Sequence, residues 1–260
     1  TFFNSDKPIL FPDITYSFYD VWAELFRIPY KQMPLDENFR LKIDDYKGKN
    51  GGIVFPNPNA PTGIYESLDH VEEIIKNNPD VIVIVDEAYI DFGGETALPL
   101  IDKYDNLVVV RTFSKSRSMA GLRIGYAISN PELIKALNDV KYSYNSYTMN
   151  RPSLVLGVES IHDDAYFREK VGQIIATRER FVKEIAELGF TCLPSSANFV
   201  FATHESIPAK EIFAAAKENN IYVRYFDKPR IDNYLRISIG TDAEMDVFVS
   251  FLSKYVKEYK

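Results

Sequence analysis

An uninterrupted aliphatic run, Val81-Ile82-Val83-Ile84-Val85, is the feature that most constrains the fold of this chain. Asp80 and Asp86 close the run on either side, so it has the length of a strand and is far too short to span a membrane. A strand that is apolar at every position is typical of a parallel sheet with helices on both faces, because all of its side chains are then buried. We therefore expect an α/β fold.

The neighbouring segments extend this pattern. Short β-rich runs at residues 53–55, 107–110 and 124–128 accompany a helical pattern over residues 68–75, where apolar residues recur on one face. This βαβ-type succession predicts a mainly parallel sheet sandwiched by helices. Ligands of such sheets bind at the carboxyl ends of the strands, and the polar segments discussed below all follow predicted strands.

The pattern changes near Asn150. Residues 151–188 are mostly helical with a predicted break at residues 162–164, and strands are predicted at 199–201, 221–223 and 235–239, with a helix over 208–219. A closing helix begins at a capping box formed by Thr241 and Glu244. We expect a large domain over residues 1–150, followed over residues 151–260 by a linking helix and a smaller C-terminal α+β domain.

Composition narrows the class of protein. The 260 residues carry a formal charge of −7 and their basic residues are scattered, which argues against nucleic-acid binding. No run approaches the length of a membrane helix, and Cys192 is the single cysteine, so we expect a cytoplasmic protein without membrane attachment. The three histidines lie far apart in the sequence, and we expect no metal site.

Asp86 begins the segment Asp86-Glu87-Ala88-Tyr89, directly after the aliphatic run. A carboxylate behind five apolar residues is costly without a partner. The protonated ring nitrogen of a cofactor would be such a partner, whereas a helix cap or a pairing with a nearby arginine is the structural alternative.

Lys115 lies in a second polar segment, Thr112 to Arg117, which follows the 107–110 strand and leads to Arg123. Hydroxyls at Ser114 and Ser116 together with a guanidinium can bind a phosphate dianion. A lysine beside an anion site and facing a carboxylate one strand away suits an aldehyde cofactor with a phosphate group and a pyridine ring. The third segment, residues 56–63, is rich in Pro and Asn, and its structural alternative is a rigid turn.

The order Pro-Asn-x-Pro-Thr-Gly, Asp-Glu-Ala-Tyr, Ser-Lys and Gly-Leu-Arg resembles fold-type I aminotransferases of classes I and II over essentially the whole chain. Residues 112–125 and 235–241 most resemble the histidinol-phosphate aminotransferase branch. The resemblance implies the type I fold of pyridoxal-phosphate-dependent transferases, with pyridoxal 5'-phosphate bound by the large domain. It also implies a homodimer whose substrate is a small amino acid or phosphorylated amine.

The resemblance further implies roles for the cofactor-binding residues. Lys115 would bind the cofactor as a Schiff base and move the proton. Asp86 would pair with the ring nitrogen, and Tyr89 would hydrogen-bond the phenolate oxygen of the ring. Ser114 and Arg123 would hold the phosphate.

The resemblance also implies roles for residues outside these two segments. Tyr16 would stack on the ring, with core packing as its alternative, and Arg236 would bind an anionic group of the substrate. Arg224 is a second candidate anion contact, with a surface position as its alternative. The family has Asn where this chain has Ala60, and we expect Asn59, or else Asn57, to replace its amide.

The family pattern also includes an N-terminal arm with a phosphate-binding loop, and this chain begins about where the strand after that loop should start. We expect part of the phosphate site to be missing. The predicted reaction is transamination between glutamate and an oxo acceptor, by resemblance the histidinol phosphate/imidazole-acetol phosphate pair. A threonine-phosphate-type decarboxylase, a cofactor-sensing domain without turnover and an inert fragment remain as alternatives.

Overall fold

The computed structural model describes residues 1–259 and contains two sheets. The first has the spatial order β2-β1-β3-β4-β5-β6, with strands β1 (Ile9–Pro12), β2 (Tyr30–Met33), β3 (Ile53–Pro56), β4 (Val83–Asp86), β5 (Leu107–Thr112) and β6 (Gly125–Ile128). The second has the order β7-β8-β10-β9, with strands β7 (Phe190–Cys192), β8 (Phe199–His204), β9 (Arg224–Tyr225) and β10 (Leu235–Ser238). The helices are α1 (Tyr19–Leu25), α2 (Leu68–Lys76), α3 (Pro131–Tyr144), α4 (Arg151–His162), α5 (Asp164–Ala186), α6 (Ala209–Glu218) and α7 (Asp242–Glu258).

The first sheet confirms the expected α/β fold. Strands β1 to β5 all pair in parallel. The side chains of β3 are buried on both faces of the sheet, with Phe55 at 0% and Val54 at 7% exposure, whereas β4 buries Val83 and Val85 on one face and leaves Ile84 partly buried on the other. Ser67 caps the start of helix α2, since its hydroxyl accepts a hydrogen bond from the His70 backbone N–H. Its apolar face, with Val71, Ile74 and Ile75, packs against the sheet and completes the first core.

Two expectations for this sheet are corrected. Strand β4 begins at Val83, two residues later than the aliphatic run, and it includes Asp86 as its last residue. Strand β6 pairs antiparallel with β5, so these two strands are not part of a βαβ succession. The reason is that residues 113–124 form a short loop with no long crossover helix, and a direct return of the chain favours antiparallel pairing. This loop carries Lys115.

The second sheet is antiparallel throughout and packs against α5, α6 and α7. The apolar cluster between them, which we call the second core, includes Phe181, Val200, Ile212, Leu235, Met245, Phe248 and Leu252. The predicted capping box at Thr241 and Glu244 is present, and the predicted helix break falls between α4 and α5. Among the helices of residues 1–259, none has the length and apolar composition needed to cross a membrane.

The strand predicted at residues 221–223 is wrong. The paired residues are Arg224 and Tyr225, and the Ile221 backbone N–H instead donates to the Ala216 carbonyl at the end of α6. Ile221 and Val223 are apolar because they pack against the second core, which a β-rich pattern cannot distinguish from strand pairing.

Candidate active site

The carboxyl ends of β3, β4 and β5 meet at a cavity of ≈ 290 Å³. Asp86 ends β4, and Lys115 lies three residues after Thr112, the end of β5. The cavity is lined by six of the residues that the sequence singled out, namely Tyr16, Asp86, Tyr89, Ser114, Lys115 and Arg123. Parallel pairing brings these distant segments together, since neighbouring strands then end at the same edge.

Lys115 points its amine into this cavity. Its Nζ lies 5.3 Å from the centroid of the Tyr89 ring, within the range of a cation–π contact. Ser116, the next residue, faces away: it is buried, and its hydroxyl donates to Asp91 Oδ2 at 2.5 Å. Ser116 therefore fixes the loop, and the expectation that its hydroxyl contributes to an anion site is corrected.

Asp86 accepts two hydrogen bonds from within the protein. The Tyr19 hydroxyl donates to its Oδ2 at 3.0 Å, and the Ala88 backbone N–H donates to its Oδ1 at 3.1 Å. Burial raises the pKa of the Asp86 carboxyl above its ordinary value, while these donors and the charge of Lys115 act in the opposite direction. Each oxygen retains a lone pair for a further donor in the cavity.

Tyr16 and Tyr19 belong to one aromatic group at the start of α1. Tyr16 is 44% exposed and reaches the cavity, whereas Tyr19 is 4% exposed and packs edge-on against both Tyr16 and Phe11. The sequence analysis missed Tyr19. It lies three residues after Tyr16, but no local signal connected it to a carboxylate 67 residues away.

Arg123 and Ser114 both line the cavity. Arg123 has a left-handed backbone with φ 56°, which is costly for a residue with a Cβ and is often found at functional sites. Its Nη1 donates to the Ala120 carbonyl at 2.9 Å, and the remaining guanidinium donors are available for an anion. The Ser114 backbone N–H donates to Thr112 Oγ1, which sets the direction of the loop.

An ion pair between Arg111 and buried Glu87 borders the cavity, and the sequence analysis missed this too. Arg111 lines the cavity and donates to Glu87 Oε2 through Nε at 2.9 Å and Nη2 at 2.8 Å. Glu87 also accepts from the Thr96 hydroxyl and the Ala97 backbone N–H, so its charge is fully compensated. Alternating burial could have indicated that Glu87 points into the protein, opposite to Asp86.

Arg236 lies on β10, close to aromatic side chains that pack beside the cavity. Its guanidinium carbon is 5.3 Å from the Phe199 ring centroid, and Phe199 packs edge-on against Tyr89 at 5.1 Å. The Arg236 Nε is buried and has no hydrogen-bond partner among residues 1–259. Burial, followed by the nearby charge of Arg224, lowers the pKa of Arg236, which is the situation of a cation whose anion is not part of the protein.

Arg224 is opposite Arg236 in the β9–β10 pairing but is exposed. Its guanidinium carbon lies 5.5 Å from the Phe226 ring centroid, and that of Arg236 lies 6.0 Å from the same ring. The structure thus brings the two predicted anion-binding arginines together, although Arg224 does not line the cavity that contains Lys115.

Asn59 is not placed where the sequence analysis expected its amide. Its Nδ2 donates to the Ile14 carbonyl and to Thr62 Oγ1, and its Oδ1 accepts from Thr15 Oγ1. Because both amide hydrogens are already used, Asn59 fixes the loop and does not offer a donor to the cavity. Asn57 likewise binds the backbone of Glu66, and the side chain that does line the cavity here is Ala60.

Comparisons with known proteins show which sequences and folds this chain resembles. The chain is 51% identical over 257 residues to a histidinol-phosphate aminotransferase of Lactococcus lactis subsp. cremoris, covering 99% of this chain and 72% of that protein. Its fold matches that of the histidinol-phosphate aminotransferase from Clostridium acetobutylicum with a TM-score of 0.90 at 24% identity, covering 96% of this chain and 78% of that one.

A second solved structure is the Sinorhizobium meliloti histidinol-phosphate aminotransferase in complex with pyridoxal 5'-phosphate, with a TM-score of 0.88 at 23% identity and coverage of 99% and 72%. Residues 1–252 match the sequence model of the aminotransferase class I and II family. Together with a lysine, a carboxylate and a guanidinium around one cavity at the strand ends, this match over nearly the whole chain means that the protein belongs to the class I and II aminotransferase family.

Proposed function

We propose that this chain is a pyridoxal-phosphate-dependent aminotransferase that moves an amino group between glutamate and the histidinol phosphate/imidazole-acetol phosphate pair. The observation that carries the proposal is the convergence of Lys115, Asp86 and Arg123 on one cavity. The 51% identity to a histidinol-phosphate aminotransferase supports the choice of substrate.

The residues present fit this cofactor. Asp86 has lone pairs free for a ring N–H, Arg123 and Ser114 offer donors for a phosphate, and the Lys115 amine faces the same space. The cavity of ≈ 290 Å³ is close to the lower end of the roughly 300–1,000 Å³ typical of ligand sites. Tyr16, which is 44% exposed and lines the cavity, would stack on the planar ring.

When bound, pyridoxal phosphate supplies an electron sink for the electron pair left on the substrate α-carbon. The protein would hold the ring in place and provide the groups that hold and transfer protons. The Asp86 carboxylate would keep the ring nitrogen protonated, and Lys115 Nζ would take the proton from the α-carbon as the general base. Tyr89, which lies against Lys115, would hold the amine on one side of the ring.

Arg236 would orient the substrate. Its buried Nε lacks a partner, and an incoming carboxylate or phosphate would supply one with a charge-assisted hydrogen bond. Arg224, paired opposite it, would add a second cation for a phosphate dianion. Two adjacent guanidinium groups favour a doubly charged group over a neutral one, which supports a phosphorylated amine as substrate.

We also propose that the protein acts in the cytoplasm as a homodimer. A single cysteine fits a reducing compartment. Large apolar side chains on α1, α3 and α4 are exposed, among them Trp22, Val140, Leu154 and Ile161, and their number is typical of a surface that a second subunit covers. Sedimentation of the purified protein would test the assembly.

The substitution Lys115→Ala tests the assignment of the base. We expect it to abolish the visible absorbance band of lysine-bound cofactor and to lower transamination by about 10²–10⁴-fold. Lys135→Ala is the matched control, since Lys135 lies on exposed α3 and its ion-pair partner within residues 1–259 is Asp139. A Lys115→Ala protein that retains the band and the activity would contradict the assignment.

Adding glutamate to the cofactor-loaded protein distinguishes the possible reactions. An aminotransferase loses the visible band as the amino group reaches the cofactor, and imidazole-acetol phosphate restores the band. A decarboxylase shows no loss with glutamate and releases CO₂ from threonine phosphate. A sensing domain binds the cofactor and does neither, so each result selects one function.

A further inference from the structure

The hydrogen bond from Tyr19 to Asp86 connects α1 to the end of β4. Tyr19 Oη lies 3.0 Å from Asp86 Oδ2, and it is the one side-chain donor to this carboxylate within residues 1–259. The other donor, the Ala88 backbone N–H, binds the opposite oxygen. Together they hold the plane of the carboxylate, because each oxygen has one fixed donor.

The Tyr19 ring is itself held on several sides. It packs edge-on against Phe11 at 5.8 Å and against Tyr16 at 5.7 Å, and it lies in a buried apolar cluster with Ala23 and Val54. Burial, followed by the charge of Asp86, raises the pKa of the Tyr19 phenol well above its ordinary value, so its hydroxyl remains a proton donor.

Two opposing effects act on the charge of the Asp86 carboxylate. It must be negatively charged to keep a ring nitrogen protonated, yet burial disfavours that charge. A hydrogen bond from a rigid neutral donor favours the charged form and leaves a lone pair on the same oxygen for the ring. Lys115 cannot replace this donor, since its amine is required on the face of the ring.

We propose that Tyr19 is a positioning residue that holds Asp86 in the orientation and charge state required to bind the protonated ring nitrogen of pyridoxal phosphate. The inference rests on the proposed function, because it assumes that Asp86 binds this cofactor. Tyr19 itself does not line the cavity and acts only through Asp86.

The substitution Tyr19→Phe tests the proposal because it keeps the ring and removes the hydroxyl. A hydrogen bond to a charged group contributes about 1.5–3 kcal/mol, so we expect the Kd for pyridoxal phosphate to rise by roughly 10- to 100-fold. Tyr30→Phe is the matched control: Tyr30 stacks on Phe11 at the same aromatic cluster, and its hydroxyl donates to exposed Glu24, which does not line the cavity. This control should bind the cofactor as the wild type does.

A double-variant cycle separates positioning from a general structural role. If Tyr19 acts through Asp86, Tyr19→Phe should weaken cofactor binding little further in an Asp86→Asn background. The visible band of the bound cofactor should also shift in the same direction in the two single variants. Additive losses of affinity, or a band unchanged in Tyr19→Phe, would overturn the proposal and leave Tyr19 as a packing residue of α1.

The outcomes also distinguish this inference from the proposed function. A wild-type chain that binds no pyridoxal phosphate overturns both. A wild type that binds and transaminates, with a Tyr19→Phe variant of equal affinity, overturns the inference alone. Urea unfolding of the cofactor-free variants reports the fold separately, and we expect Tyr19→Phe to unfold in the same cooperative transition as the Tyr30→Phe control.

Discussion

Polar groups at the cavity and polar groups around the second core differ in how fully the protein itself pairs them. Around the cavity, burial raises the pKa of the Asp86 carboxyl, Arg236 has a buried nitrogen without a partner within residues 1–259, and Arg123 adopts a left-handed backbone. Around the second core, Arg180 binds Glu184, Asp242 and Asp246, and the capping box satisfies the start of α7.

This difference indicates where stability and function reside in the molecule. The second core stabilises the fold by burying apolar side chains and pairing its charges. The cavity retains groups that would be more stable elsewhere, because a ligand can use only donors and acceptors that the protein leaves available. Variants in the second core should therefore lower the free energy of unfolding, and variants at the cavity should chiefly change binding.

The largest effect should come from Phe181→Ala. Phe181 is 0% exposed and stacks on Phe248, so its removal leaves a cavity and should lower the free energy of unfolding by about 3–5 kcal/mol, measured by urea denaturation. Phe251→Ala is the control, since Phe251 is only partly buried at the edge of the same core. A loss from Phe181→Ala no larger than that from Phe251→Ala would break the comparison.

Arg236→Gln should show the opposite behaviour. We expect KM for glutamate to rise by roughly 10- to 100-fold, because a charge-assisted hydrogen bond contributes about 1.5–3 kcal/mol. The free energy of unfolding should change little, since the Arg236 Nε has no partner to lose. Arg168→Gln, at an exposed position of α5 where Arg168 pairs with Asp164, is the control for steady-state kinetics. An Arg236→Gln variant that unfolds easily but keeps its KM would assign Arg236 to the fold.

Thr241→Ala should have a smaller effect on stability. The Thr241 hydroxyl accepts from the Glu244 backbone N–H, and loss of an N-cap costs about 0.5–2 kcal/mol. Ser250→Ala removes a hydroxyl from the exposed face of the same helix and should cost nothing, because Ala has the higher helix propensity. Equal losses in thermal unfolding of the two variants would show that the capping box does not stabilise α7.

Asp86→Asn should give the smallest change, a pH-dependent gain in the stability of the cofactor-free protein. Burial raises the pKa of folded Asp86 above the ordinary 3.8, so the folded state holds this proton more tightly than the unfolded state. The wild type therefore loses stability as Asp86 ionises. This loss in the free energy of unfolding is absent below pH 3.8, grows as pH rises from there to the folded pKa, and is constant above the folded pKa. The stability gain of the variant in urea should follow this course, and a gain that declines with rising pH would contradict the raised pKa.

Local patterns predicted much of the fold. The apolar run at β4, the helical face of α2 and the capping box of α7 each depend on residues close in sequence. The fold prediction failed where it depended on which strands pair. Strand β6 pairs antiparallel with β5, and residues 221–223 pack against the second core without forming a strand. Periodicity reports which side chains are buried, and it does not report which backbone they pair with.

For the site, polar segments after predicted strands pointed to Asp86, Ser114, Lys115 and Arg123, and the family resemblance added Tyr89 and Tyr16. All six line one cavity, since parallel strands bring their carboxyl ends to one edge whatever lies between them. Only the tertiary structure could show that the Tyr19 hydroxyl reaches Asp86, that Arg111 pairs with Glu87, and that both amide hydrogens of Asn59 are already used. A hydrogen bond between residues distant in sequence depends on the direction of each side chain, and that direction is set by packing against the whole fold.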